Sequence, residues 1–257
     1  MSAPLPLRVV VTRPAAQAAA WVEQLRERGI DAEALPLIEI AAAEDPAPLV
    51  DAWQKIASHR LVVFVSANAV EHFFAARPDA IAWPDDVAAA APGPGTAQAL
   101  LRAGCPAASI VSPTIEAAQF DSEALWERLR GRDWSGSRVL VVRGDGGRDW
   151  LADRLRDAGA ALETVGAYRR VAPMFAGAAR ERIDALVAAA DVVWLFSSSE
   201  AIANLARAAG DARWQNARAL AAHPRIATRA RALGFGTVVE CGATVDAVVA
   251  CIQSIEP

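Results

Sequence analysis

Lysine is nearly missing from this chain: Lys55 stands alone, and every other basic residue is arginine. Together with the alanine excess, that bias reads as coding composition and carries no functional meaning. Cysteine occurs three times, as Cys105, Cys241 and Cys251, an odd number without CxxC spacing. This excludes a disulfide framework and points to reduced thiols in a cytoplasmic protein. His59, His72 and His223 never fall at HxxxH or HExxH spacing, so no metal site is expected. No apolar run reaches transmembrane length without a charge or proline, and the N-terminal stretch lacks a long apolar core ahead of a small-residue cleavage site. Neither a membrane nor export is expected. A net charge of -4 supplies no general field for nucleic acid, so an anionic ligand has to be gripped locally. GPGTAQ at 93–98 and GDGGRD at 144–149 match only the first half of GxGxxG, since Gln98 and Asp149 replace the third glycine. A P-loop and a GxSxG elbow are both lacking, so the glycines read as tight strand-to-helix turns.

What the 257 residues do contain is an alternation of short β-branched runs with amphipathic stretches, the pattern of parallel sheets covered by helices. VVVTR at 9–13 and VLVVR at 139–143 each place an arginine 16 residues ahead of a closing glycine, Gly29 or Gly159. VVFVSANAV at 62–70 lies over WLFSSSEAI at 194–202, and GPGTAQALLRAGC at 93–105 over HPRIATRARALGF at 223–235. The chain therefore reads A, B, A′, B′, a long-period duplication that builds two similar α/β lobes. Residues 35–40 (LPLIEI) and 165–171 (VGAYRRV) read as extended crossings. Periodicity leaves two pairings open, tandem (A with B) or nested (A with B′), and two crossings favour nesting.

Candidate ligand contacts cluster where strands deliver the chain to helices. Asn68 and Glu71, and Ser197 and Glu200, have capping-box spacing, and Ser66, Thr96 and Ser198 read as caps whose helix N-termini also receive carboxylates. Arg13 and Arg143 follow equivalent strands, where an exposed arginine is either solvated or a bidentate carboxylate clamp. Tyr168, the single tyrosine, lies in a crossing strand beside Arg169 and Arg170, and its structural reading is a half-buried amphipathic ring. The tryptophans read as core.

Taken in order, VVVTRP, LPLIEI, FVSANAV, GPGTAQALLRAG, VLVVRGDGGRDWLADRLRDAGA, GAYRRV and FSSSEAIANL resemble the uroporphyrinogen-III synthase family over nearly the whole chain. The resemblance implies two flavodoxin-like parallel-sheet lobes joined by a two-stranded ladder, the first lobe discontinuous. Lobe 1 would comprise 1–36 and 173–257, lobe 2 residues 43–160, and the ladder 37–42 and 161–172. It implies a substrate cleft between the lobes and closure of hydroxymethylbilane, a linear tetrapyrrole, to uroporphyrinogen III with inversion of ring D and loss of water. Departure of the terminal hydroxyl leaves an azafulvene, ring D attacks through its substituted carbon to give a spiro intermediate, and fragmentation and recombination complete the ring. The electrophile belongs to the substrate, so no cofactor is implied and the protein's task is to hold one approach geometry.

Each pyrrole bears an acetate and a propionate. The expected binding residues are Arg13, Ser66, Ala67, Asn68, Gly95, Thr96, Arg143, Gly144, Gly146, Gly147, Ser197, Ser198 and Arg225, with Tyr168 as a weak general acid toward the departing hydroxyl. The chain departs from the family pattern at Val65, where a threonine is usual, and at His223 and Ile226, where a glycine and a hydroxyl are lost and Arg225 is the expected substitute. A monomer is expected, with a transient hand-over from the bilane-producing enzyme left open. A non-catalytic two-lobed ligand-binding protein is the main rival, and a receiver-like domain, which needs an acidic cluster after its first strand, a weaker one.

Overall fold

The computed structural model describes residues 7–114, 120–146 and 149–255. First come β1 (Arg8–Val11), α1 (Ala15–Glu27), β2 (Asp31–Ala34) and β3 (Glu39–Ala42). Then follow α2 (Ala47–Gln54), β4 (Leu61–Phe64), α3 (Ala67–Ala75), β5 (Ala88–Ala90), α4 (Pro94–Arg102), β6 (Ile110–Val111), α5 (Ser122–Leu129), β7 (Arg138–Gly144), α6 (Trp150–Asp157) and β8 (Ala161–Val171). The remaining elements are α7 (Ala178–Ala188), β9 (Val192–Phe196), α8 (Ser199–Ala209), β10 (Arg218–Ala221), α9 (Pro224–Leu233), β11 (Thr237–Glu240) and α10 (Val245–Ile255).

Two compact units result. Unit 1 is Met1–Glu39 with Val171–Pro257, and unit 2 is Ile40–Arg170, so the first is built from both ends of the chain. Its five-stranded sheet has the order β11-β10-β9-β1-β2, every pair parallel. Numbered within the unit, this is the 2-1-3-4-5 order of flavodoxin-like sheets. Unit 2 has β6-β5-β4-β7-β8 with β3 added beyond β8. Matching β7 to β1 and β4 to β9 shows the same order with a permuted start. Because β1 pairs with β9 and β4 with β7, the nested pairing is the one the chain adopts.

The short strands hold because both faces are covered. Leu61 and Val63 join a core with Leu125, Trp134, Val139 and Leu155, while Val62 and Phe64 join Trp53, Phe73, Leu140 and Val142 on the opposite face. This alternation of two apolar sets explains why β4 reads as an unbroken hydrophobic run. Burying each such side chain contributes roughly 1.5–3 kcal/mol. In unit 1, Val9, Val11, Val193 and Leu195 pack with residues of α1 and α10, and Trp194, Phe196, Trp214 and Phe235 form an aromatic cluster.

β8 does more than cross. It pairs in parallel with β7 from Ala161 to Tyr168, with an irregularity at Arg143/Gly144, and β3 flanks its other edge. Residues 161–168 thus satisfy the backbone groups along the edge of β7 as part of the unit 2 sheet.

Candidate functional site

In sheets of this order, ligands bind beyond the carboxyl ends of the strands where the winding reverses. That point lies at β1/β9 in unit 1 and β7/β4 in unit 2, so it brings Thr12, Arg13, Ser197 and Ser198 to one edge and Ser66, Arg143 and Gly144 to the other.

At the unit 2 edge, α3 begins one residue after Ser66, whose Oγ accepts a hydrogen bond from Ala69 N–H at 3.2 Å. Ser66, not Asn68, is the cap, because the extended backbone of Ser66 turns its side chain toward the orphan amides. Ala67 and Asn68 occupy the first turn. Ser66 Oγ also lies 3.0 Å from the phenol oxygen of Tyr168, which accepts from the Arg170 guanidinium at 3.2 Å. The Tyr168 ring is 1% exposed rather than half-buried, and His72 stacks near it with ring centroids 5.9 Å apart. Gly144 makes room for that ring: a Cβ there would sit 2.7 Å from two ring carbons. Asp145 ties the corner, its N–H donating to the Tyr168 carbonyl at 3.1 Å and its carboxylate accepting from Arg170 N–H at 2.7 Å. Gly146 follows at φ +77°, a left-handed conformation that suits glycine. Gly147 lies outside the described residues. Arg143 pairs with Asp149 and lines a small hollow with Val63, Val65, Ser122 and Leu151.

The next strand end differs from expectation. Thr96 is 7% exposed, inside the first turn of α4, and Gly93 holds the cap position. Its backbone satisfies the turn, so the Thr96 side chain is core-facing rather than a cap. Gly95 is exposed with open space at its α-carbon.

At the unit 1 edge, Thr12 Oγ1 donates to the Leu195 carbonyl at 2.7 Å and locks the ends of β1 and β9 together. Arg13 comes next. Its guanidinium lies over the Trp21 ring, 4.2 Å from the centroid, and its buried Nε has no hydrogen-bond partner among the described residues. Burial pushes its pKa down to about 10, against an opposing effect of the Cys241 sulfur, so it remains a cation at neutral pH. Burial likewise raises the Cys241 thiol to about 12, with Cys251 adding to the shift and Arg13 opposing it. Ser198, not Ser197, caps α8, accepting from Glu200 N–H at 3.2 Å. His223 caps α9 through Nδ1, which accepts from Arg225 N–H at 3.1 Å. The imidazole does there what no side chain does at Gly93. Ile226 is buried like Thr96, and the Arg225 guanidinium lies 3.5 Å from His223 Nε2.

Sequence reasoning missed Arg170, His72, Trp21 and Asp149 as members of these edges. Arg170 lies two residues after Tyr168 in the chain, and alternation along a strand, which puts residues two apart on one face, was the signal that joined them. Among the described residues, no three His, Cys, Asp or Glu side chains converge as a metal set, and no helix is long and apolar enough to cross a membrane.

The family model described as "Uroporphyrinogen-III synthase HemD" matches residues 19–250. A uroporphyrinogen-III synthase of Salmonella typhimurium is 31% identical over 176 residues, 67% of this chain and 68% of the relative. One of Proteus mirabilis is 29% identical over 168 residues, 64% of this chain and 81% of the relative. Solved uroporphyrinogen III synthases share the fold: a mutant from Thermus thermophilus at TM-score 0.60 and 16% identity, covering 96% and 98% of the two chains, and a Helicobacter pylori protein at TM-score 0.61 and 12% identity, covering 97% and 100%. With the doubled parallel sheets, their nested connection and a match across most of its length, this chain belongs to the uroporphyrinogen-III synthase family.

Proposed function

We propose that the carboxyl edges described above are where this chain carries out its family's reaction, the cyclisation of hydroxymethylbilane to uroporphyrinogen III with inversion of ring D and loss of water. The observation that carries the assignment is Arg13. A guanidinium with a buried, unpartnered Nε, shielded by Trp21 and without an ion pair among the described residues, is a costly arrangement for a folded protein. A carboxylate arriving at the sheet edge compensates it, and the bilane carries two on every ring. Unit 1 further offers the amides at Ser197 and Ser198 and the guanidinium of Arg225, whose own amide is taken by His223, and unit 2 offers the amides at Ala67, Asn68, Gly95, Gly144 and Gly146, with Arg143 already engaged by Asp149. Thr96, buried within α4, serves this edge through backbone position rather than through its hydroxyl.

Chemistry needs little beyond this. Once water has left the terminal hydroxymethyl carbon, the substrate is its own electrophile, and spontaneous closure gives the uninverted type I ring. The protein's contribution is to favour attack by the substituted carbon of ring D, through orientation and through a hydroxyl network headed by Tyr168 that supplies a proton to the leaving oxygen. No cofactor takes part in this reading, and a cytoplasmic monomer is its setting, in keeping with thiols at Cys105 and Cys241 that burial keeps protonated.

The test is a coupled assay that generates the bilane in situ and resolves the type III and type I products. Enrichment of type III over the no-protein control supports the assignment. Type I alone, with the bilane nonetheless retained by the protein, favours a non-catalytic binder.

A further inference from the structure

We infer that Ser66, not Tyr168, presents the proton to the substrate, and that Tyr168 and Arg170 act behind it as a buried relay. This rests on the reading of the unit 2 edge as a bilane site. Polar groups of Arg170, Tyr168, Ser66 and Ala69 meet here in a line, and counting their protons orders them. An arginine only donates, so the Tyr168 oxygen accepts from Arg170. A backbone N–H only donates, so Ser66 Oγ accepts from Ala69. One hydrogen bond joins the two hydroxyls, at 3.0 Å, and beyond these bonds neither has a further protein partner among the described residues.

Two arrangements satisfy that geometry. Were Ser66 to donate to Tyr168, the phenol proton would be left without an acceptor on a side chain 1% exposed, inside the core with Ala69, Val70 and Phe73. A buried unsatisfied donor bears the full penalty of its lost hydration. When Tyr168 donates to Ser66 instead, the leftover proton is that of Ser66, which is only half-buried at the helix N-terminus. The second arrangement is the one that satisfies every buried group, and it points the only uncommitted proton of the two hydroxyls outward.

In the chemical step, the C–O bond of the hydroxymethyl group breaks with the electron pair going to oxygen, while the pyrrole nitrogen supplies the pair that forms the exocyclic C=C of the azafulvene system. The Ser66 proton moves to the departing oxygen, giving water, and the Tyr168 proton moves to Ser66. The phenolate is held by the Arg170 guanidinium. The proton returns along the same path when a pyrrole carbon loses its hydrogen in the closing step. Tyr168 and Arg170 are therefore positioning residues, and Gly144 keeps the ring in place.

A double-mutant cycle in the bilane assay tests the relay. Ser66→Gly removes the hydroxyl while keeping a residue that helix N-caps tolerate well, and Ser66→Thr restores an oxygen. Ser66→Gly and Tyr168→Phe should each lower kcat about 10²-fold, within the range of general acid catalysis, with KM within about twofold. The double variant should be no slower than Ser66→Gly alone, Arg170→Met should be non-additive with Tyr168→Phe, and Ser66→Thr should recover most of the rate. Multiplicative losses in the double variant overturn the relay and return the role to Tyr168. Full activity of Ser66→Gly overturns it as well. If Ser66→Gly does not fold, the Tyr168→Phe/Arg170→Met cycle decides, with multiplicative losses again contradicting the relay. A wild-type protein that yields only type I product refutes the site reading itself, so the two failures are separable.

Discussion

Arg13 and Arg143 stand 130 residues apart at the same register of two copies of one fold, yet they have been put to different uses. Eight residues beyond Arg13 the chain has Trp21, over which the guanidinium lies, and no acid among the described residues meets it. Beyond Arg143 the matching position is Leu151, and Asp149 takes the charge instead. The same divergence runs through the crossing strands. In unit 2, β8 continues to Tyr168, where His72 stacks and Ser66 bonds the phenol; in unit 1, β2 stops at Ala34, and Asn204, the counterpart of His72, donates to the Leu37 carbonyl at 2.7 Å. Duplication thus supplied two sheet edges with one geometry, after which unit 1 kept an uncompensated positive charge and unit 2 acquired a hydroxyl relay. We read this as a division of labour: unit 1 binds, and unit 2 handles the proton.

Breaking the unit 2 side should have the largest effect. Gly144→Ala forces a methyl group to within 2.7 Å of the Tyr168 ring; overpacking of this kind costs about 1–3 kcal/mol. Turnover should fall at least about 10²-fold and the melting temperature should drop, both readable from the same purified sample. The paired arginines come next. Arg13→Met should leave the melting temperature unchanged or higher, since it removes a poorly solvated cation, yet weaken kcat/KM about 10- to 100-fold through loss of a charge-assisted bond. Arg143→Met should cost less than about tenfold in kcat/KM, because Asp149 already occupies that charge. Equal losses in the two variants would remove the contrast.

Effects away from the edges are smaller. Arg138 holds the Glu163 carboxyl below its usual range by hydrogen bonding and charge, with His59 adding to this. A folded-state pKa below the unfolded one gives stability that is present above the ordinary glutamate range and lost as pH falls through it. Glu163→Gln should therefore flatten stability against pH only on the acid side, by less than about 1 kcal/mol for so exposed a pair, as followed by denaturant melts between about pH 3 and 7. Least disruptive is thiol labelling. Cys105 and Cys241, both raised to about 12, should resist alkylation at about pH 8 in the native protein and react fully in denaturant.

Much of this architecture was legible in the sequence, for a physical reason. Strands buried on both faces have to be apolar runs, and the helices between them have to show one apolar stripe, so parallel α/β structure and its duplication left a trace along most of the chain. Strand ends were legible too, since Ser66, Ser197 and Arg13 closely follow apolar strand runs. Which hydroxyl caps a helix was harder. Asn68 and Ser197 have cap spacing to Glu71 and Glu200, but the chain turns two residues earlier at Ser66 and one later at Ser198, a choice made by sheet register. The partners of the edge residues were hidden because they come from other elements: Trp21 from α1, Asp149 from the loop before α6, and Ser66 from 102 residues before Tyr168. At His223 the lost glycine looked like a defect, whereas the imidazole caps its helix.

The split of kinetic constants in Arg13→Met and Tyr168→Phe, measured side by side at saturating and limiting bilane, tests the division of labour most directly. Arg13→Met should raise KM with kcat nearly unchanged, and Tyr168→Phe should lower kcat with KM nearly unchanged. The same constant altered in both variants would contradict it.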